Sequence, residues 1–232
     1  MIYENTKRAV FLDRPNRFVA NILLDGQPTV CHVKNTGRCR ELLTPNADII
    51  VQMAAPGIRK TSCDLIAVYK SGRLINMDSS APNRVFGEYL AVGGLGFVPD
   101  SIKPESVYGD SRFDFRFSRS GREALAEVKG VTLEDAGIVR FPDAPTARGV
   151  KHLRGLIRAS AEGFDCWAVF IVQMRGVRYM EPNWTTHPEF GEALILARDA
   201  GVRILALDCS VTENSITARA PVEVKLNHGK HI

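Results

Sequence analysis

No stretch of about 18 uninterrupted apolar residues occurs in this 232-residue chain, and no apolar run follows a basic start. Neither a membrane span nor a secretory leader is therefore expected, which places the protein in the cytoplasm. Cysteine is sparse and scattered: Cys31, Cys39, Cys63, Cys166 and Cys209 form no CxxC pair. That spacing argues against a disulfide framework or a zinc knuckle and for reduced, mostly buried thiols. Histidines 32, 187, 228 and 231 have no ligand spacing with those cysteines. Residues 57–61 (GIRKT) lack the Gly-Lys-Ser/Thr end of a P-loop, and residues 93–96 (GGLG) lack both the GxGxxG spacing and a preceding strand. Nucleotide-binding glycine loops are thus absent. No internal repeat or low-complexity segment is visible, and the sequon at Asn183-Trp184-Thr185 has no meaning without secretion.

What is present is an ordinary globular composition, 45% hydrophobic and 24% charged, long enough for one large domain or two small ones. The net charge of +4 is uneven: residues 1–80 hold 11 Lys/Arg against 7 Asp/Glu, whereas residues 81–232 hold 19 of each. A basic surplus confined to one region suits a polyanionic partner. That region reads as five short β-rich runs, at 17–24, 28–33, 49–53, 64–70 and 73–77, with one short helical candidate at 39–43. Turn signals separate them, including Asp25-Gly26, Pro56-Gly57 and Ser71-Gly72. The count suggests a small OB-like β-barrel over residues 1–82. Beyond the loop at 78–82, helices at 83–92, 146–161 and 187–200 interleave with strands at 111–118, 123–129, 165–173 and 202–208. The expected class is mixed α+β: the barrel, then a domain at 83–232 with a mixed sheet flanked by helices.

The chemistry concentrates in one hairpin. In residues 112–117 (RFDFRF) strict alternation puts Phe113, Phe115 and Phe117 on one face and Asp114 with two arginines on the other. In residues 124–129 (ALAEVK) Glu127 and Lys129 share the face opposite Ala124, Ala126 and Val128. A two-residue turn at Ser120-Gly121 sets Phe115 against Ala126 and Asp114 against Glu127. Two carboxylates so placed repel each other unless a cation lies between them. Mg²⁺ (or Mn²⁺) is commonly held by one or two carboxylates, with water and a phosphate completing the shell. Asp114 and Glu127 supply that minimum, and Lys129 is placed to orient an attacking water or to stabilise a phosphoryl transition state. Glu88, on the preceding helix, is a candidate further carboxylate. On the helix at 146–161, Arg148, Lys151, Arg154 and Arg158 fall within an arc of roughly 100–120°, a basic stripe suited to a phosphate backbone or simply to solvent, with His152 beside it.

The residues 17–20 (RFVA), 35–38 (NTGR), 111–115 (SRFDF), 127–129 (EVK), 141–144 (FPDA), 146–149 (TARG) and 151–153 (KHL) run in an order and spacing that resembles the sugar fermentation stimulation protein A family almost end to end. The resemblance implies an N-terminal OB-like domain and a restriction-endonuclease-like C-terminal domain, in a family described as DNA-binding and linked to sugar-utilisation genes. It maps Asp114, Glu127 and Lys129 onto PD-(D/E)xK positions and Glu88 onto the helical glutamate, with Phe113 standing where the signature has proline. Asn35, Arg38 and Arg40 of the barrel loop become candidate nucleic-acid contacts. Two functions follow: a metal-dependent DNA phosphodiesterase, or a non-catalytic DNA-binding regulator. An oligosaccharide-binding barrel leaves the hairpin acids unexplained. The expected partner is DNA, held mostly by sequence-independent contacts, with no membrane; the oligomeric state is open, a homodimer included.

Overall fold

The computed structural model of the protein describes residues 1–35, 37–55, 57 and 61–227. Thr36, most of the 57–61 stretch with the neighbouring Pro56, and His228 and His231 lie outside the described residues. Six strands come first: β1 (Thr6–Asn16), β2 (Val19–Leu24), β3 (Gln27–Val33), β4 (Asp48–Met53), β5 (Cys63–Lys70) and β6 (Arg73–Asn76). Their order is β3-β2-β1-β4-β5-β6, and a short parallel contact of His32 and Val33 with Asp64 and Leu65 joins β3 to β5. Strands β1 to β5 thereby close into an OB-like barrel, and β6 extends β5. The expected count of five began at residue 17: it omitted β1, whose Lys, Arg, Asp and Pro mask its period, and took β6 as the fifth. The helical candidate at 39–43 is a turn, in which the Leu42 and Leu43 amides donate to Cys39 O, with Cys39 at φ 46°.

Three helices follow, α1 (Ala81–Ala91), α2 (Ala147–Ala161) and α3 (Pro188–Asp199). They pack about a six-stranded sheet ordered β15 (Ser215–Val222), β14 (Arg203–Thr212), β12 (Asp165–Val172), β9 (Arg122–Val131), β8 (Ser111–Arg119), β7 (Ser101–Tyr108). Strand β12 runs parallel to both β9 and β14, and the outer pairs are antiparallel. A separate sheet joins β10 (Leu133–Asp135), β11 (Ile138–Phe141) and β13 (Tyr179–Pro182). The class is mixed α+β, and the expected helices and strands of this half stand within two residues of the observed bounds, apart from the C-terminal end of β14. Strands β7, β10, β11, β13 and β15 were not foreseen: two carry an internal proline and the others are four residues or shorter.

The sheet has two apolar faces. On one, α1 lies between barrel and sheet, where Val85, Phe86 and Leu90 meet Ile50 and Ile66 of the barrel and Phe115, Phe117 and Ala126 of β8 and β9. Burial of each large ring stabilises the assembly by roughly 1.5–3 kcal/mol. The other face carries α2 and α3, with Leu153, Leu156 and Phe190 over Phe113, Leu125 and Phe170. A buried polar tie adds direction to this packing: Gln173 Nε2 donates to Asn76 Oδ1 at 2.8 Å and to Asp78 O at 3.0 Å, and Asn76 Nδ2 donates to Tyr3 Oη at 2.9 Å. Each of these groups would cost about 1–3 kcal/mol if left unsatisfied, so the tie fixes how barrel and sheet dock. All five cysteines are buried, and none is in a disulfide. Among the described residues no helix is long and apolar enough to cross a membrane.

Candidate metal centre

The hairpin register is the one the turn dictates. Ser120 and Gly121 both take positive φ, 49° and 78°, and pairing runs from Arg119 opposite Arg122 to Phe115 opposite Ala126. Beyond that pair the two strands part. The β7–β8 ladder is interrupted at the same place: Pro104 faces Phe115 and Ser106 faces Phe113, with Glu105 at φ 52° between them. Asp114 therefore sits at a break on both sides of its strand.

The break also reverses the alternation. Phe115 meets Phe86 of α1 edge-on at 5.4 Å, whereas Phe113 turns to the α2 side, where its ring lies 6.1 Å from His152 and against Gly155. The expectation that three phenylalanines share one face is thus corrected: two do, and the third is displaced by the irregularity at Asp114. The released strand ends are satisfied locally. Asp114 Oδ2 accepts from the Val128 amide at 2.7 Å, and Oδ1 accepts from Asn83 Nδ2 of α1 at 2.7 Å. The side chain of Asp114 takes up a backbone donor where the ladder has stopped.

Glu127 projects from β9 toward α2. Its Oε1 receives both His152 Nδ1 and the ammonium of Lys129, which lies two residues along on the same face. His152 Nε2 is in turn approached by Arg148 Nε at 3.4 Å. The Nδ1 of His152 thus faces an acceptor and its Nε2 a donor. Glu127 is 4% exposed, and its other oxygen, Oε2, is buried with no hydrogen-bond partner. Such an orphan is costly in a finished structure.

The two acids are held in opposite electrostatic states. Burial pushes the Glu127 carboxyl up, but His152 and Lys129 outweigh it and bring the group below its ordinary value. Burial, followed by repulsion from Glu127, pushes the Asp114 carboxyl above its ordinary value, against the Val128 and Asn83 hydrogen bonds and the charge of Lys129. Glu127 is ready as an anion, while Asp114 gains from any cation placed beside both. No group of three or more His, Cys, Asp or Glu side chains assembles as a ligand cluster among the described residues, and the acidic side chains at this place are the two carboxylates.

Glu88 is not drawn to this pair. Its carboxylate binds the Met1 amine and lies 3.4 Å from Arg84 Nε, so Asn83 is the α1 residue that reaches Asp114. The sequence carries no signal for Asn83. His152 was legible in part: with Gly149, Leu153 and Leu156 it occupies the apolar side of α2, an unusual place for a histidine without a partner. Arg148, Lys151, Arg154 and Arg158 are all exposed on α2. Lys151 and Arg158 are engaged by Asp110, at 3.2 and 2.8 Å, and Arg154 has no ion pair among the described residues. A cleft of about 350 Å³ is lined by Gly130 and Pro82, which adjoin Lys129 and Asn83 in the chain, and across the barrel seam by Asn35 and Gly37. Gly130 is required there, since a Cβ would fall 2.5 Å from Gln173 Oε1. Arg38 and Arg40 are exposed about a separate depression on the barrel.

Two family models cover most of the chain: residues 12–77 match the SfsA N-terminal OB domain and residues 80–215 the sugar fermentation stimulation protein RE domain. A sugar fermentation stimulation protein homolog of Desulfitobacterium hafniense (strain DSM 10664 / DCB-2) is 52% identical over 229 residues, covering 99% of this chain and all of the relative. One from Clostridium beijerinckii is 50% identical over 226 residues, covering 97% and 100%. The solved structure of Pyrococcus furiosus SfsA in complex with Ca²⁺ superposes with a TM-score of 0.86 at 26% identity, over 97% of this chain and 98% of that one. The chain belongs to the sugar fermentation stimulation protein family.

Proposed function

We propose that the protein is a divalent-metal-dependent phosphodiesterase acting on DNA, with Asp114 and Glu127 holding Mg²⁺ or Mn²⁺. The observation that carries this reading is the buried, partnerless Oε2 of Glu127 beside a carboxylate whose ionisation is resisted. A hard cation takes oxygen ligands and keeps several waters, so two carboxylates suffice for its protein share. The Pyrococcus furiosus relative is described with another hard cation, Ca²⁺. A bound ion supplies Lewis-acid polarisation of the scissile phosphoryl group.

The chain's own residues account for the rest. His152 donates to Glu127 Oε1 and keeps Oε2 turned away from α2. Asn83 and the Val128 amide hold both oxygens of Asp114 while leaving each a lone pair. Lys129 carries the positive charge that meets developing charge on the phosphoryl oxygens, or orients the attacking water. Arg148 and Arg154, exposed on α2, take backbone phosphates and give affinity without sequence preference.

A second reading is a DNA-binding regulator that keeps the acidic pair without turnover. It draws on the relatives' name and on the Lys129–Glu127 ion pair, which occupies the lysine. Incubating labelled DNA with Mg²⁺ or Mn²⁺ separates the two. Wild type is expected to cleave, and Glu127→Ala to lose more than the roughly 10–100-fold typical of a residue that only supports a metal. Intact DNA with wild type in both metals would leave the regulator.

A further inference from the structure

Nearly every arginine on the β-strands has a carboxylate partner: Arg8 with Glu213, Arg73 with Glu134, Arg112 with Glu105, Arg116 with Glu123, Arg140 with Glu181. Among the strand arginines the exceptions are Arg119, which lies over the Phe97 ring, and Arg14. Arg14, Arg17, Arg38 and Arg40 surround a depression of about 290 Å³ where the β1–β2 turn meets the loop after β3. None of the four has an ion pair among the described residues. Arg14 builds the depression: its guanidinium donates to the carbonyls of Arg17, Asn35, Gly37 and Arg38 at 2.5–3.0 Å, buckling turn to loop. Its Nε is buried without a partner. Arg17, Arg38 and Arg40 are exposed, so their charges face water uncompensated. Four cations held this close repel one another, and an anion relieves that.

Beside Arg17, at the tip of the same two-residue turn, Phe18 is 54% exposed. An exposed ring next to a cationic groove is how single strands are held: phosphates on arginine, bases on the aromatic face. In a duplex the bases are stacked on each other and cannot reach such a ring. The depression also adjoins the cleft at the barrel seam. Gly37 borders both it and the 350 Å³ cleft that Gly130 lines. A Cβ on Gly37 would fall 2.7 Å from Asp143 Oδ2 and 2.9 Å from Asn35 Oδ1, so the rim between the two is kept low by glycine. Past that rim the cleft is lined by Asn35, Asp143, Thr146 and Gln173, and by Arg140, which is paired with Glu181.

We infer that this arginine depression grips the phosphodiester backbone of a single-stranded nucleic acid, with Phe18 stacking a base and the strand running over Gly37 toward Asp114 and Glu127. The inference rests on the phosphodiesterase reading for its direction, since it names the form of substrate that reaches that centre.

Fluorescence anisotropy in EDTA tests it without turnover, using a labelled oligothymidine of about 16 nucleotides, near the upper site size of one OB barrel, and a mixed-sequence duplex of equal length. The single strand is expected to bind at least about tenfold tighter than the duplex. Arg38→Ala with Arg40→Ala should weaken it about tenfold or more and lower the log–log salt slope by roughly 1.4, about 0.7 for each phosphate no longer neutralised. Phe18→Ala should weaken it by about tenfold with the slope unchanged. All three positions are exposed, and an unaltered melting temperature checks that the variants fold. Equal or tighter duplex binding, or variants within about twofold of wild type, overturns the inference. Wild type that binds the single strand in EDTA but leaves it intact in Mg²⁺ and Mn²⁺ counts against the catalytic reading alone, whereas wild type that cleaves, with cleft variants that bind and cleave as it does, counts against this one alone.

Discussion

At the parting of β8 and β9 the protein buries its charge, whereas at the β1–β2 turn it leaves charge in water. Glu127 is 4% exposed and fixed from two sides by His152 and Lys129; the side chains of Arg17, Arg38 and Arg40 are exposed and have no ion pair among the described residues. The difference teaches how each place can act. A buried glutamate beside a half-buried aspartate concentrates its field on one small ligand and demands a fixed geometry. Exposed arginines act over a screened range of about 8–10 Å, add nearly independently, and tolerate a moving chain. The first should respond to substitution in large steps and the second in small ones.

The largest step is expected at Lys129. Lys129→Met keeps the length of the stem while removing the charge, leaving Glu127 with His152 alone. If the lysine meets charge that develops in the transition state, kcat should fall by about 10²–10³ with KM little changed, the signature of a group used only there. A rise in KM at constant kcat would instead make Lys129 a binding residue, and the contrast with the arginine cleft would shrink to one of degree.

How far these places could be read in advance differs in the same way. Glu127 and Lys129 share a face as alternation along β9 requires, and the Ser120-Gly121 turn delivers the expected register as far as Phe115, whereas the expected pairing of Asp114 with Glu127 is not formed. What alternation hides is its own interruption. Nothing in RFDFRF announces that Phe113 will leave the face of Phe115, because the cause is tertiary: α2 presents Gly155 and His152 to that ring, and the ladder stops where Asp114 captures the Val128 amide. Asn83 is equally silent, since its value depends on where α1 docks. The barrel was legible as a count of strands, yet Arg14 was not, for its four acceptors are carbonyls at residues 17, 35, 37 and 38, brought together only by the closed barrel. Arg38 and Arg40, by contrast, stood out because loop arginines need no such assembly to be exposed.

A smaller step is expected at Asp114, with a sign opposite to the usual one. Its carboxyl is raised by burial and by Glu127, so the folded protein holds that proton more tightly than the unfolded chain does. The contribution of Asp114 to metal-free stability is therefore fullest below the ordinary aspartate range and is lost as pH rises from that range to the raised value, whereas Glu127, held below its ordinary value, contributes in the opposite sense. Asp114→Asn removes the penalty at neutral pH and should raise the melting temperature of the metal-free protein by roughly 2–4 °C, the effect of about 1 kcal/mol in a chain of this size. The same variant should lose the further rise that Ca²⁺ or Mn²⁺ gives the wild type. Scanning calorimetry in EDTA and in each metal reads both effects. A variant less stable than wild type in EDTA would mean that the Val128 and Asn83 hydrogen bonds outweigh the buried charge.

The smallest step lies on α2, where the contrast between bound and free cations can be drawn within a single helix. Lys151 and Arg158 share Asp110, at 3.2 and 2.8 Å, while Arg154, between them on the same side, has no ion pair among the described residues. A cation already compensated must give up its carboxylate to take a phosphate, whereas a free one gives up only water and counterions. Arg154→Ala should thus weaken DNA binding about uniformly across sequences and lower the log–log salt slope by about 1 for a duplex, while Lys151→Ala changes the slope less. Asp110→Ala should do the reverse, releasing two cations and steepening the slope. A salt titration of wild type and the three variants on one DNA resolves the order. Equal effects of Arg154→Ala and Lys151→Ala would show that Asp110 does not hold its partners against a polyanion, and that the stripe acts as one charged surface.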